Sequence, residues 1–190
     1  KQYHISTIFF FLVADYTTFD TNVSASKNKF RLLIKTMVDY AKVGLHPSYF
    51  SMKDESLLKK EKERLEQITN MPMEKSRQHY LRFSLPETYQ HLIDLEIKED
   101  YSMGYASHVG FRASTCTPFY FYDLDFEIQT PLKVFPFALM DTTLNDYMKL
   151  TPKQSLGKIR DLKNEVKRVN GIFITLFHNE SLSGYIRWKG

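Results

Sequence analysis

Close to its start the chain carries a largely apolar stretch, Ile5 to Ala14, broken only by Ser6 and Thr7, and then changes period. Ten residues are too few to cross a bilayer, and neither a positive cluster before the stretch nor a small-residue cleavage site after it marks a signal peptide. It predicts a buried β-strand. In residues 27–41, Phe30, Leu33, Ile34, Met37 and Val38 recur on one face with Lys and Arg between them, which predicts an amphipathic helix. Residues 43–46 read as a short strand. Residues 53–69 read as a charged helix with Leu58, Leu65 and Ile68 facing inward and Asp54 as its N-cap. A further short strand is expected in 74–83, and a helix in 85–97 with Pro86 in its first turn. Residues 100–138 are aromatic and turn-rich, predicting loops and small strands. In 151–170, Leu156, Ile159, Leu162, Val166 and Val169 form one stripe that closes at Gly171 before the apolar run 172–179.

Strand and helix alternating over short connections predict an α/β fold, either a parallel sheet or a β/α barrel, in a single domain spanning 1–190. Composition fits a globular chain: 190 residues, 43% of them hydrophobic. The net charge of +4 arises from 26 basic and 22 acidic residues spread without blocks, so no nucleic-acid partner is expected, and no membrane span. The single cysteine, Cys116, excludes an internal disulfide and fits a reducing, cytoplasmic setting. A chain that starts Lys-Gln without Met and enters a strand at once reads as a piece of a longer protein.

The candidate chemistry lies in three histidines. His46, His79 and His178 each fall where a strand gives way to its loop, and in parallel α/β folds those ends share the ligand-binding rim. Imidazoles there suit a divalent metal, general acid/base chemistry, or both. Singly, each is as well explained by a ring bonded to a nearby carbonyl, so the shared placement carries the argument. His4, His91 and His108 show no such placement. Arg77, Arg112 and Asp141 occupy similar positions. Arg112 can hold an acidic side chain or a substrate oxygen. Asp141 can orient an imidazole or cap the helix starting at Thr142, and the cap is the commoner role. Glu61 is in register with Leu58, Leu65 and Ile68, which is odd for a charge; a paired structural Glu, away from the rim, is expected. The aromatic segment 117–123 can stack on pyranose rings or pack in a core.

Several strings are more specific: "VGLHPSYFS" (43–51), "SRQHYLRF" (76–83), "DYSMGYASHVGFRASTCTPFYFYDL" (100–124), "PFALMDTTL" (136–144) and the terminal "TLFHN" (175–179). Over essentially the whole chain they resemble the polysaccharide deacetylases of the NodB-homology group, carbohydrate esterase family 4, and within it a bacterial branch found in Bacteroidetes. The resemblance implies an irregular (β/α) barrel and a divalent metal, usually zinc, held by one aspartate and two histidines. It also implies an aspartate base and a histidine acid near the last strand. On that pattern His46 matches the first metal histidine and His178 the acid. Arg77 to Tyr80 match the segment that walls the substrate groove and supplies a backbone N–H to the oxyanion. Arg112 and Asp141 join His178 in the catalytic set.

Two departures qualify the resemblance. Phe50 stands where the second metal histidine belongs, and His79 is our candidate substitute. The family's early paired-aspartate motif has no match, because the stretch containing "TTFD" (17–20) resembles the loop after the second strand of the barrel rather than the first. We therefore read Asp20 as coincidental and expect the metal aspartate upstream of residue 1, with a barrel incomplete at its N-terminus and weak or no catalysis by this piece alone. The implied activity is hydrolysis of an acetyl group from a carbohydrate. The rivals are a catalytically silent carbohydrate-binding or scaffold domain, and an amidohydrolase acting on a small amide. An exposed edge on the first strand would favour a homodimer.

Overall fold

The computed structural model describes residues 5–183, which fall into two compact units. The first takes in the chain up to Tyr101 together with Tyr120–Lys133; the second takes in Ser102–Phe119 and the chain from Val134 onward. Among the described residues no helix is long and apolar enough to cross a membrane.

The first unit is built on β1 (Ile8–Phe11), α1 (Asn28–Tyr40), β2 (Lys42–Leu45), α2 (Glu55–Thr69), β3 (Lys75–Ser76), α3 (Glu87–Asp94) and β4 (Glu99–Asp100), followed by β5 (Phe119–Asp123) and β6 (Ile128–Val134). They form a six-stranded sheet in the order β1-β2-β3-β4-β6-β5. β1 pairs parallel with β2, with Ile8 opposite Lys42 and Phe11 opposite Leu45; β2–β3 and β3–β4 are parallel too. Parallel neighbours need crossovers, and α1, α2 and α3 supply them. β5 and β6 are joined by four residues, which only an antiparallel pair permits.

The apolar patterns are narrower in the folded chain than in the sequence. β1 has four residues and is an end strand, so Phe9 stays 39% exposed and the fully buried residues, Val13 and Ala14, lie just beyond it. On α1 only Ile34 is buried. Phe30, Met37 and Val38, four before and three and four after it, are half-buried, whereas Leu33, one step around the helix, is exposed. α2 keeps the predicted face: Leu58, Leu65 and Ile68 are buried, each contributing roughly 1.5–3 kcal/mol. The Asp54 carboxylate accepts the Leu57 N–H at 3.1 Å, as an N-cap should. The strand expected over 74–83 shrinks to Lys75–Ser76, because the chain turns into a short 3-10 helix, His79–Leu81, with Tyr80 and Leu81 at φ 58° and 53°.

The second unit holds β7 (Leu139–Met140), α4 (Pro152–Arg168) and β8 (Thr175–Leu176), with β7 and β8 paired in parallel. A π-helical turn, Thr143–Tyr147, follows β7. Thr151 and Gln154 cap α4 reciprocally, with Pro152 in its first turn. Of the stripe on α4 only Val166 is buried; Ile159 and Leu162 are half-buried, and Leu156 and Val169 lie open to solvent. The helix reverses at Asn170, in the left-handed region at φ 52°, rather than at Gly171. Gly171 answers to packing: a Cβ there would lie 2.2 Å from Cys116 Sγ. Gly104 is tighter still, because its Cβ would fall 2.2–2.6 Å from three ring carbons of the fully buried Phe137.

Two glycines in this unit therefore predict opposite outcomes. Gly104→Ala should destabilise by about 1–3 kcal/mol through overpacking against Phe137. Gly157→Ala, inside α4 with nothing within 4 Å of its Cβ, should stabilise by about 0.5–1 kcal/mol. Urea unfolding of the two variants beside the wild type reads both signs.

Candidate functional site

β2 ends at Leu45, and His46 continues the ladder by donating its backbone N–H to the Phe11 carbonyl at 3.0 Å. Its ring Nδ1 is hydrogen-bonded to the Arg77 carbonyl. A carbonyl can only accept, so Nδ1 carries the proton and Nε2 is the ring's acceptor nitrogen. His79 arrives from the neighbouring turn after β3. Its backbone N–H is donated to the Pro47 carbonyl at 3.0 Å, and its Nδ1 lies 2.8 Å from Asp20 Oδ1. The two imidazole centroids are 4.9 Å apart, with ring planes at 59°.

Asp20 is fully buried. Its Oδ1 takes the Tyr49 N–H at 3.0 Å beside the His79 ring, and its Oδ2 takes the Thr17 hydroxyl at 2.9 Å. The Thr17 oxygen in turn accepts the Asp20 N–H at 2.9 Å. The segment 17–20 is thus a closed turn that aims one carboxylate at His79, a placement that the sequence reading did not expect of Asp20. The Thr-x-x-Asp spacing just after a strand was the available signal, and it carried no information about which histidine the loop would meet.

Glu61 also differs from expectation. No cation pairs with it among the described residues; its Oε2 accepts the Ser48 backbone N–H at 2.9 Å, two residues from His46. Burial raises its pKa above the usual 4.5, with the negative charge of Asp20 adding to that and Ser48 opposing it.

Arg77 gives its carbonyl to His46 and sends its guanidinium the other way. Nε donates to the Tyr101 carbonyl at 3.1 Å, and the head lies 4.6 Å from the Phe10 ring centroid. Burial lowers its pKa to about 10, although Asp100 and Tyr101 pull upward. Tyr80 is exposed beside His79, their centroids 4.5 Å apart. It belongs to an aromatic cluster in which Tyr49 is stacked on Phe19 at 3.9 Å and has the Arg82 guanidinium at 3.7 Å. Phe50 meets both rings edge-on and remains 48% exposed. On β5, Tyr120 and Tyr122 face solvent while Phe121 is buried, so segment 117–123 divides between surface and core.

The second unit contains a separate dyad. Asp141, buried at the end of β7, accepts the His178 backbone N–H on Oδ2 at 2.7 Å; its Oδ1 lies 2.7 Å from the His178 ring Nδ1. Oδ1 also takes the Thr142 N–H at 2.7 Å. Orientation of the imidazole and capping of the following turn, posed as alternatives by the sequence, are both performed. Burial works to raise the Asp141 pKa, but the His178 ring and backbone bonds, together with the Ser181 hydroxyl, outweigh it and hold the carboxyl below its ordinary 3.8. Arg112 is exposed on a turn closed by the Ser114 N–H to the Phe111 carbonyl at 2.9 Å.

The structure therefore brings together His46, His79 and Asp20 in one unit, and Asp141 and His178 in the other. In all three imidazoles Nδ1 faces an oxygen acceptor, the arrangement that metal-binding and proton-transferring histidines require. His46 and His79 both have this arrangement. Asp20 is spent on orienting His79, and among the described residues no group of three His, Cys, Asp or Glu side chains is placed to hold a metal ion.

No family model matches the chain, and no curated protein does. Among solved structures it is similar to the crystal structure of a "putative polysaccharide deacetylase from Mycobacterium smegmatis", with a TM-score of 0.64 and 15% sequence identity over 93% of this chain. The match covers 59% of the other chain, so this chain spans about three-fifths of that protein's length. At that identity the likeness is one of fold: a mixed α/β architecture with parallel strands, shared with a polysaccharide-deacetylase structure.

Proposed function

We propose that the chain belongs to a hydrolase that removes acetyl groups from a carbohydrate, built on an irregular (β/α) barrel of the Bacteroidetes-type deacetylase branch. The observation that carries this reading is the His46–His79 pair, with both Nδ1 atoms engaged by acceptors on a fold of that kind. In this reading His46 and His79 hold a divalent metal, zinc by the preference of imidazole ligands, which would polarise the acetyl carbonyl. Asp20 and the Arg77 carbonyl fix the two ring orientations. Tyr80 walls the bound sugar, and a backbone N–H near it supports the oxyanion. Within the second unit the His178–Asp141 dyad is suited to proton donation: Nε2 of the imidazolium can give a proton to a departing amine or alkoxide, and Asp141 stabilises the cation. Arg112 contacts an acidic group or an oxygen of the substrate.

The silent carbohydrate-binding domain is favoured by one observation: Asp20 already accepts three hydrogen bonds, two on Oδ1 and one on Oδ2, so only a single lone pair, on Oδ2, is left for a metal. Zinc titration calorimetry separates the readings. The hydrolase reading expects zinc bound by the wild type, lost in His46→Ala and in His79→Ala, and weakened about 10- to 100-fold in Asp20→Asn, which keeps an acceptor but loses the charge. A wild type that takes up no zinc yet binds an acetylated glycan overturns it.

Asp141 supplies an independent test. Its lowered pKa means that the ion contributes stability above its ordinary 3.8, and that this contribution is lost as pH falls through the still lower value of the folded state. Asp141→Asn should cost about 1.5–3 kcal/mol at neutral pH, with the gap to wild type closing below pH 3.8. Urea midpoints measured across that range show whether it closes.

A further inference from the structure

Glu61 has no part in the chemistry above, and it is placed where a leucine would fit. It occupies the inner face of α2 with Leu58, Leu65 and Ile68, and is 1% exposed. The other buried acids of this unit are well supplied with side-chain donors. Asp100 accepts the Ser76 and Tyr89 hydroxyls, and Asp123 the Gln90 amide. Glu61 receives a backbone N–H on Oε2, while Oε1 is enclosed without a hydrogen-bond partner. Burying a carboxyl in this way is costly, and an apolar side chain would avoid the cost.

What the carboxyl holds is the loop that carries His46. The Ser48 N–H is taken by Glu61 from α2, and the next amide, Tyr49 N–H, by Asp20 from the turn after β1. Just before them the Pro47 carbonyl accepts the His79 N–H. The peptide units linking His46 to His79 are thus gripped from two sides by carboxylates on different elements. We infer that Glu61 is a positioning residue for the His46–His79 pair, acting through the Ser48 amide to keep the two imidazoles at their observed separation. This deepens the metal-site reading, but its geometric part stands without a metal.

The test uses the 190-residue chain with Glu61→Leu and Glu61→Gln. Leucine matches its neighbours and removes the cost of the buried carboxyl but leaves the Ser48 N–H without its acceptor; the two effects oppose, so the urea midpoint should stay close to that of the wild type. Amide hydrogen exchange at Ser48 and Tyr49 should nonetheless rise at least about 10-fold, and NMR cross-peaks between the His46 and His79 rings should weaken. Zinc affinity should fall about 10-fold, toward the low end of the loss seen when groups supporting metal ligands are removed. Glutamine, which keeps an acceptor oxygen, should restore the exchange protection, the cross-peaks and the affinity. Unchanged Ser48 protection and ring cross-peaks in Glu61→Leu overturn the inference. So does a parallel loss of midpoint, core protection and zinc affinity, which marks Glu61 as part of the core only. If the wild type binds no zinc, the metal reading fails by itself, and the exchange and ring cross-peaks still decide the role of Glu61.

Discussion

The organisation of the first unit depends on how the backbone after β2 is satisfied. From His46 to Tyr49 every amide that has a hydrogen donates it to a different element: His46 to Phe11 at the end of β1, Ser48 to Glu61 on α2, Tyr49 to Asp20 in the turn at 17–20. The intervening Pro47 has no N–H to place, and its carbonyl receives His79. A buried backbone donor without a partner costs about as much as a lost hydrogen bond, so the loop is fixed only if all of these elements are in place together. Its position is therefore a property of the sheet and α2 jointly, which is what a binding site built at strand ends requires.

The second unit solves a similar problem with fewer parts. One carboxylate, Asp141, holds the backbone and the ring of His178 and also the first amide of the turn that follows β7. β7 and β8 are two residues each, and their pairing alone fixes little. The bonds from His178 to Asp141 extend the β7–β8 contact past the ends of both strands, so the orientation of the imidazole and the local fold rest on the same group.

Periodicity showed the helices well, because α1, α2 and α4 are long enough for several turns to report one face. It overstated how much of each face is buried: Leu33, Leu156 and Val169 continue an apolar stripe yet lie in solvent, since the width of the contact depends on the partner surface. The histidines at strand ends were visible for a similar local reason. What could not be read was pairing across distance. Asp20 with His79 spans 59 positions, and Ser48 with Glu61 spans 13 across a loop and a helix. Glu61 was conspicuous as a charge in an apolar register, but its partner is a main-chain amide, which every non-proline residue offers, so nothing in the side-chain pattern pointed to Ser48.

The closeness of His46 and His79 follows from sheet geometry. β2 and β3 are parallel neighbours with Leu45 opposite Ser76, so the chain leaving each strand runs beside the other, and a residue three past Ser76 comes level with the loop of His46. A side chain can be supplied to the same place from either loop. His79 takes that place here, oriented by Asp20, while Phe50 turns outward into the cluster with Phe19 and Tyr49. The second imidazole is thus furnished from the end of β3, and the carboxylate that orients it must lie within reach of that strand end. That requirement accounts for a closed Thr17–Asp20 turn at this position in the loop after β1.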